Sequence, residues 1–377
     1  MVNWHLVTDD DELAGLLARA DDCATVMVDT EFMRRNTFFP QAALVQLCFA
    51  GSRVDSDTAW LIDPLAIEDT RPLAELLARP DLVKVVHSAS EDLEVFQRWP
   101  GVLPEPLFDT QRAAGLLGIG FGMGYRNLVQ EISGVDVPKG ETCSDWLQRP
   151  LTDSQCEYAA LDVICLLPVW AELQRRCLEQ NKLDWVLADS ADAVAAMRAN
   201  ASEYHLRIKG AWKLQPRQLA ALAAICRWRE DTARRRDKPR GWIIDDRSCL
   251  QLAQLNPQDF KQLEAVPELP SPVVRRYGEE LLALLAVERE TPENALPASL
   301  PEPLSPSERS ALKSLKRCAA RIADELGVVP EALLQSRDYE LLLREQTAER
   351  ASTPAHWHGW RRDLVIAPLR QHLLGAL

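Results

Sequence analysis

Strand-like segments are confined to the first half of this 377-residue chain, and this asymmetry limits the folds open to it. Four short runs rich in Val, Leu and Ile are bounded by Gly, Pro, Ser or Asp: ATVMVDTEF, ALVQLCFAG, AWLIDP and VKVVHSA. From about residue 184 onward, Leu and Ala recur at helical spacing and no strand pattern remains. The sequence therefore predicts an N-terminal α/β domain followed by an all-helical part.

The order of the elements narrows the N-terminal fold further. The first three strand-like runs follow one another without a helical segment between them, which predicts an antiparallel meander. Helical segments come next, namely DLEVFQRW, DTQRAAGLLG and YRNLVQEIS, and a longer helix is predicted from about Thr152 to Glu179. The pair Thr152 and Gln155 has the spacing of a capping box, which marks where this long helix begins.

A proline-rich stretch divides the helical part. Residues 291–308 contain five prolines in 18 residues, a composition typical of an extended, semi-rigid linker. We therefore predict four segments. They are the α/β domain at 1–205, a helical domain at 206–290, the linker at 291–308 and a second helical domain at 309–377.

The net charge of −13 is unevenly distributed along the chain. Residues 1–200 carry a net charge of −16, whereas residues 201–240, here called the basic island, carry +7. An acidic protein with one basic stretch is expected to contact a polyanion there. No run of about 18 apolar residues and no signal-peptide pattern is present, which predicts a cytoplasmic protein without a membrane partner.

Acidic side chains lie at the end of the first predicted core strand. Asp29 and Glu31 are two residues apart on an extended strand, so both point to the same face, where their charges repel unless a cation or a proton intervenes. Asp92 begins a predicted helix about sixty residues later. Tyr158 and Asp162 are four residues apart on the long helix and share one face of it.

This order of residues resembles the DEDD 3′→5′ exonucleases, in the branch that has a tyrosine in the last motif. The segments VDTEFMRRNTFFPQAALVQL, VHSASEDLEVF and KGETCSDWLQRPLTDSQCEYAALDV are similar to those of the ribonuclease D family. The helical part resembles the HRDC domains that follow the nuclease in that family. The resemblance implies an α/β ribonuclease H-like domain followed by two small all-α HRDC-like domains.

The resemblance also implies a catalytic set: Asp29, Glu31, Asp92, Tyr158 and Asp162. The four carboxylates are expected to hold two divalent metal ions, Mg²⁺ or Mn²⁺, since all-oxygen sites favour these ions. Asp29 would bridge both ions, Glu31 and Asp162 would complete one site, and Asp92 would support the other. Tyr158 is protonated at neutral pH and is expected to orient the attacking water.

Other residues are expected to contact the substrate. Phe32 and Met33 follow the carboxylates and either stack on terminal bases or fill the core. Gln46 and His87 match flanking motifs of the family but have equally plausible structural roles. Lys139 and Arg149 are candidates for phosphate contacts, as are Arg234, Arg235 and Arg236 in the basic island.

The function predicted from these features is a metal-dependent 3′→5′ exoribonuclease. It would release nucleoside 5′-monophosphates while trimming transfer RNA precursors and other structured RNAs, and no obligate protein partner is indicated. Two alternatives keep the nuclease fold, namely an exonuclease that acts on DNA and a binding scaffold with an inactive site. A haloacid-dehalogenase-type phosphatase is a further alternative, but its motif has Asp-x-Asp, whereas this strand has Asp-Thr-Glu.

Overall fold

The computed structural model describes residues 2–51, 57–138, 140–141, 144–199, 203–345 and 353–375. The chain forms two compact units. The first consists of residues 1–33, 40–198 and 305–377, and the second of residues 34–39 and 199–304. Each unit therefore combines stretches that are far apart in the sequence.

The first unit is built on a six-stranded mixed sheet. Its strands are β1 (Asn3–Val7), β2 (Thr25–Met33), β3 (Gln41–Ala50), β4 (Thr58–Ile62), β5 (Val83–Val86) and β6 (Leu107–Asp109). The spatial order is β1-β4-β3-β2-β5-β6. Strands β2, β3 and β4 pair antiparallel, as the sequence predicted, and the other neighbours are parallel.

The helices of this part of the chain follow or separate these strands. They are α1 (Asp10–Arg19), α2 (Arg71–Ala78), α3 (Ser90–Arg98), α4 (Thr110–Leu116), α5 (Tyr125–Ser133), α6 (Asp153–Ile164), α7 (Leu166–Glu179) and α8 (Leu183–Ala199). Thr152 and Gln155 form the predicted capping box at the start of α6. The sequence predicted one long helix to Glu179, but the structure has two. Helix α6 ends at Ile164, Cys165 caps it, and α7 begins at Leu166.

The sheet separates two apolar cores. Because side chains alternate along a strand, Val26 and Val28 of β2 pack with α1, α2 and α3 on one face. Met27, between them, points to the other face and packs with α4, α6 and α7. This alternation fixes the face on which every following residue of β2 lies.

The second unit is helical. Its helices are α9 (Pro216–Arg236), α10 (Arg240–Ile243), α11 (Asp246–Leu255), α12 (Phe260–Glu264) and α13 (Ser271–Arg289), with 3₁₀ turns at Tyr204–Arg207, Ala211–Lys213 and Glu293–Ala295. One apolar core joins α9, α11 and α13, with Leu222, Leu252 and Leu281 at its centre. The remote segment 34–39 is bound to this unit through the residue that ends α9. Asp237 accepts hydrogen bonds from the backbone N–H groups of Phe38 and Phe39 at 2.9 and 3.0 Å.

The C-terminal helices belong to the first unit. They are α14 (Pro306–Leu326), α15 (Pro330–Leu333), α16 (Ser336–Arg344), α17 (Gly359–Arg361) and α18 (Ala367–Gly375), with a π-helical turn at Arg362–Ile366 between the last two. The sequence predicted a separate second helical domain at 309–377. In the structure these helices instead share one apolar core with α4, α5, α6 and α7, so they form a single compact body with the α/β domain.

Polar anchors hold the C-terminal helices in place. The ammonium group of Lys182 donates to the carbonyl oxygens of Leu116 and Gly327, each at 2.9 Å. The indole rings of Trp185 and Trp360 stack with their centroids 4.5 Å apart. Within the part of the chain that the structure describes, no helix is long and apolar enough to cross a bilayer.

Candidate active site

Asp29 and Glu31 extend one face of β2 beyond the apolar core. They continue the series begun by Met27, so both point toward the layer that contains α6. The register of β2 against β3 shifts just after Glu31, where β3 has one extra residue, Ala43, opposite the Glu31–Phe32 step. Such a bulge bends the strand and redirects its side chains, here at the point where the carboxylates end.

Helix α6 supplies the residues that face these carboxylates. Tyr158 and Asp162 lie one turn apart, and the Tyr158 hydroxyl favours the ionised form of the Asp162 carboxylate. Oxygen atoms of Asp29, Glu31 and Asp162 all lie within 4.8 Å of one another. Three of the four predicted carboxylates therefore form one cluster large enough to surround a cation.

The fourth carboxylate, Asp92, comes from the opposite side of the sheet. Thr30 lies between the two β2 carboxylates and points to the other face, where its hydroxyl donates to Asp92 Oδ1 at 2.5 Å. Asp92 is in the first turn of α3 and is 7% exposed. Its charge acts on both Asp29 and Glu31, which places it beside the cluster of three although outside it.

The turn that carries Asp92 depends on Asp109, which the sequence reasoning missed. The buried Asp109 carboxylate accepts from the backbone N–H groups of Ser88 and Ala89, each at 3.1 Å, just before α3. It also accepts from Gln111 at 2.9 Å as the N-cap of α4. The segment Asp109-Thr110-Gln111 has an N-cap residue at its start, but the link to the α3 turn spans about twenty residues and has no local signal.

Crowding of negative charge shifts the acidity of the whole cluster. Burial, and next the charge of Asp162, raises the pKa of Asp29 well above its ordinary value. Burial and the three other carboxylates raise the pKa of Glu31 to about 10. Burial raises the pKa of Asp162 to about 7, although the hydroxyl of Tyr158 opposes this change. Without a cation the cluster therefore retains protons at neutral pH.

Asp92 and Tyr158 are shifted in the same direction. Burial, and next the charge of Asp29, raises the pKa of Asp92 well above its ordinary value. Burial and the nearby Asp162 raise the pKa of Tyr158 as well, so its hydroxyl remains protonated over the whole physiological range. The Tyr158 hydroxyl is therefore available as a hydrogen-bond donor and not as a base.

A cavity of about 520 Å³ opens over the carboxylates. One part of its wall is the N-terminal turn of α5, namely Tyr125, Arg126 and Asn127 after Gly124. No side chain among the described residues caps this helix, so its first N–H groups and the helix dipole give the wall a partial positive charge. The sequence reasoning missed these residues, although the glycine-rich run before Tyr125 was a signal of a close approach between backbone and ligand.

Two further contacts fix the walls of the cavity. The Tyr125 hydroxyl donates to the carbonyl oxygen of Leu161 at 2.7 Å, which joins α5 to α6 next to Asp162. Gly140 packs on the ring of Tyr158, where a Cβ atom at residue 140 would lie 2.7 Å from a ring carbon. A glycine is therefore required at residue 140 for the observed position of Tyr158.

The predicted substrate residues near the cluster have different surroundings. His87 lines the cavity, but its two ring nitrogens contact Thr110 Oγ1 and the carbonyl oxygen of Met123 at 3.0 and 3.1 Å. Phe32 and Met33 are half-buried at the end of β2, and Met33 packs against the core. A direct contact of these three residues with substrate stays a prediction.

For two other residues the structure argues against the predicted contact with RNA. Gln46 is fully buried inside the sheet, so its side chain presents no surface to a substrate. Arg149 uses all five of its N–H donors within the protein. It makes two bonds of 2.6 Å to Asp63 and further bonds to the carbonyl oxygens of Ala43, Trp146 and Gln148. Lys139 lies outside the described residues.

The predicted arginines of the basic island are partly engaged within the second unit. Arg234 and Arg240 place their guanidinium groups 4.9 and 4.7 Å from the centre of the Phe38 ring. Arg236 donates to the Tyr277 hydroxyl. Arg235 is exposed and contacts Thr232 at 3.3 Å. Of the three predicted arginines, Arg235 is thus the one that the fold leaves at the surface.

Comparisons with known proteins agree with this geometry. Residues 4–177 match the family model described as 3′-5′ exonuclease, and residues 218–285 match the HRDC domain model. A ribonuclease D of Pseudomonas paraeruginosa is 42% identical over 100% of this chain and 97% of its own length. The chain belongs to the ribonuclease D family. This membership removes the phosphatase alternative, which requires a different fold.

Other members of the ribonuclease D family match over the whole chain. The ribonuclease D of Escherichia coli is 34% identical over 99% of both sequences. The crystal structure of the Escherichia coli enzyme, described as an exoribonuclease involved in structured RNA processing, matches with a TM-score of 0.89 and 33% identity over 99% of each chain. The predicted fold class, an α/β exonuclease domain followed by a helical HRDC region, is therefore confirmed.

Proposed function

We propose that this member of the ribonuclease D family is a 3′→5′ exoribonuclease that removes nucleoside 5′-monophosphates from RNA. One observation carries the proposal. Asp29, Glu31, Asp92 and Asp162 come from three separate elements and meet beside Tyr158 at one end of the sheet, under a cavity large enough for a nucleotide. Four carboxylates this close together are unfavourable for folding unless protons or cations compensate their charges, and this supports a role in binding cations.

The residues present fit a divalent metal centre. They offer only carboxylate oxygens, which are hard ligands, and the three nearest already lie within 4.8 Å of one another. We propose that the ions are Mg²⁺ or Mn²⁺ and that Asp29, Glu31 and Asp162 would hold them, with Asp92 in support. When bound, two such ions activate a water and stabilise the departing 3′ oxygen.

Tyr158 and the α5 wall would act on the substrate directly. The protonated Tyr158 hydroxyl lines the cavity next to Asp162 and is suited to orient the attacking water. The first N–H groups of α5 also line the cavity and are suited to the phosphate of the terminal nucleotide. The guanidinium group of Arg126 is engaged within the protein, because it donates to the carbonyl oxygen of Val137 and pairs with Asp136 at 2.9 Å. This arrangement supports hydrolysis of a phosphodiester at a chain end.

We propose that the second unit supplies grip on the RNA and no chemistry. The basic island carries +7 in an otherwise acidic chain. Five of its exposed basic residues are suited to sequence-independent phosphate contacts, namely Arg207, Lys209, Lys213, Arg227 and Arg235. Arg240 is also exposed but forms an ion pair with Glu230. We propose transfer RNA precursors and other structured RNAs as the substrates, and the cytoplasm as the place of action.

One experiment tests the activity and the choice of nucleic acid together. The purified protein is incubated with Mg²⁺ and either a 3′-extended transfer RNA or single-stranded DNA of matched length, and the released mononucleotides are followed. The expected result is stepwise release of 5′-monophosphates from the RNA and much slower release from DNA. Asp162→Asn keeps the shape of the side chain and should lower the rate by orders of magnitude without unfolding the protein.

The outcomes separate the proposal from its alternatives. Equal rates on both substrates would favour a general or DNA-directed exonuclease. Binding of RNA without any release, by a folded protein loaded with Mn²⁺, would favour a binding scaffold. Parental activity in Asp162→Asn would contradict the proposed metal centre.

The contribution of the basic island is tested by substitution. Replacing Arg207, Lys209, Arg227 and Arg235 with Gln should weaken RNA binding and make log-affinity fall less steeply with log-salt, by about 0.7 to 0.9 for each phosphate that the variant no longer neutralises. A matched control replaces four exposed basic residues of α14, namely Lys313, Lys316, Arg317 and Arg321. Equal salt slopes in the two variants would show that the island is an ordinary solvated surface.

A further inference from the structure

Gln46 occupies an unusual place in the central sheet. It lies on β3 directly opposite Asp29 of β2 and next to Leu61 of β4, on the face that carries the carboxylates. Its neighbours on that face of β3, Leu44 and Cys48, are apolar members of the core. Gln46 is therefore a polar residue in an otherwise apolar row. It lies directly opposite Asp29, one of the carboxylates proposed to bind metal.

The amide of Gln46 is completely buried and unpartnered. Its side chain has no exposed surface, and neither Nε2 nor Oε1 has a hydrogen-bond partner within the described part of the chain. The other buried groups without a partner there are single atoms, such as the indole nitrogens of Trp60 and Trp170. Burying an amide without a hydrogen-bond partner is unfavourable for folding, and a leucine or methionine would avoid that cost.

The position of Gln46 suits its amide to act as a hydrogen-bond donor toward Asp29. Residues directly opposite on neighbouring antiparallel strands have Cβ atoms about 4.5–5.5 Å apart, within the reach of a glutamine side chain. A carboxylate that binds a metal through one lone pair is generally held by a hydrogen bond to another. Gln46 has two amide hydrogens to donate and is the opposite neighbour of Asp29.

We propose that Gln46 is a positioning residue of the metal centre, whose amide N–H groups hold the Asp29 carboxylate through one buried water in the orientation that binds the metal. This inference rests on the proposed function, because it requires Asp29 to be a ligand. Gln46 itself touches neither substrate nor metal. It replaces the direct RNA contact that the sequence suggested for this residue.

The test uses the metal-free full-length protein and Mn²⁺ alone. Gln46→Met is nearly isosteric and removes both polar atoms, so we expect Mn²⁺ affinity by titration calorimetry to fall roughly 10- to 100-fold. The melting temperature of the metal-free variant should equal or exceed the parental value, because an unpartnered amide has been removed. The increase in melting temperature that Mn²⁺ produces should shrink.

Two control variants distinguish an effect of Gln46 from an effect on the metal centre as a whole. Leu47→Met changes the next residue, on the opposite face of β3, and should leave Mn²⁺ affinity unchanged. Asp29→Asn tests the centre itself. If the parental protein and Asp29→Asn bound Mn²⁺ alike, the proposed centre would be wrong, and the Gln46 inference with it.

If Asp29→Asn lost Mn²⁺ binding while Gln46→Met retained the parental affinity, the metal centre would stand and the inference about Gln46 alone would be overturned. A Gln46→Met protein with a lowered melting temperature and parental Mn²⁺ affinity would likewise assign the residue to packing. Gln46→Leu serves as a second apolar variant. Failure of both variants to fold would also show a role in the core.

Discussion

Thr30 and Asp92 are 62 residues apart in the sequence, yet the threonine hydroxyl donates to Oδ1 of the buried aspartate at 2.5 Å. The two catalytic-set carboxylates of β2 flank Thr30 and point to the opposite face of the sheet. Strand β2 therefore presents two carboxylates on one face of the sheet. On the other face, the threonine between them orients a third carboxylate, that of Asp92. The Asp-Thr-Glu order thus has a physical role for its middle residue as well as for its acids.

Thr30→Val should weaken the metal centre while it keeps every charge. Valine has the same branched shape but lacks the hydroxyl, so Asp92 loses its partner. We expect roughly a tenfold loss of Mn²⁺ affinity or activity, the range typical of residues that support a metal ligand. Titration calorimetry and turnover measurements would check this, with Thr25→Val on the same strand as the control. Parental values in Thr30→Val would show that Asp92 is oriented by α3 alone.

Glu31→Gln should stabilise the metal-free protein. The folded-state pKa of Glu31 is raised to about 10 from 4.5, so folding favours its protonated form. Ionising Glu31 therefore destabilises the folded protein. This destabilisation is absent below pH 4.5, grows as the pH rises and stops growing above about pH 10. Glutamine removes it, and we expect a gain on the order of 1–3 kcal/mol at pH 8 because the half-buried side chain is partly screened by water.

Urea unfolding of the metal-free parental protein and Glu31→Gln at pH 5 and pH 8 measures this effect. The difference in the free energy of unfolding should be small at pH 5 and larger at pH 8. Glu75→Gln changes an exposed glutamate of α2 and should show no such pH dependence. An equal difference at both pH values would indicate that Glu31 is not shifted by its neighbours.

Mn²⁺ should displace protons when it binds. The pKa of Asp162 is about 7 and that of Glu31 about 10, so at neutral pH the cluster must give up protons before it can act as a ligand set. The affinity for Mn²⁺ should therefore rise between pH 6 and pH 8. Calorimetry in buffers of different ionisation enthalpy would measure the release of at least about one proton per cluster. A flat affinity profile without proton release would contradict the shared protonation.

Gly140→Ala should impair the position of Tyr158 without touching a charge. The added Cβ would lie 2.7 Å from a carbon of the tyrosine ring, so the ring or the backbone must move. We expect turnover to fall at least tenfold while Mn²⁺ affinity stays near the parental value. Gly15→Ala, where a Cβ would meet no atom within 4 Å, is the matched control. Loss of both properties would mean that residue 140 supports the carboxylates too.

Arg149→Met should lower stability and not RNA affinity. The guanidinium group neutralises Asp63, which is 4% exposed, and bonds the carbonyl oxygen of the bulge residue Ala43. Removing one partner of a buried ion pair is unfavourable by about 3–5 kcal/mol. Chemical unfolding would detect this loss, and Asp63→Asn in the same protein should recover part of it. A stable variant with weakened RNA binding would restore the role in phosphate contact that the sequence suggested.

The predicted site residues that the structure brings together are those with local patterns in the sequence. Asp29 and Glu31 were found because an apolar strand leads into them, and the Tyr158–Asp162 pair because it follows a capping box at helical spacing. Strand β6 was missed because it has only three residues, and β1 because only the last of its five residues, Val7, is buried, so it has no apolar run. Their places in the sheet depend on parallel partners far along the chain.

Residues whose roles depend on distant contacts could not be predicted. Nothing near Asp109 indicates that it caps two turns, and nothing near Gly140 indicates that it lies on Tyr158. The basic island was recognised from its charge, but the Phe38 ring that faces Arg234 comes from a segment bound to Asp237 across a separation of 199 residues. Contacts between residues this far apart in the sequence determine which arginines remain exposed to solvent.

The assignment of residues 34–39 to the helical unit also affects how that unit can be studied in isolation. A fragment that begins at residue 206 would lack Phe38 and the two N–H groups that Asp237 binds. Arg234 and Arg240 would then lose the aromatic ring between them and present more positive surface to solvent. Such a fragment would overstate the affinity of the native helical unit for nucleic acid, and adding the short peptide 34–39 should bring that affinity back down.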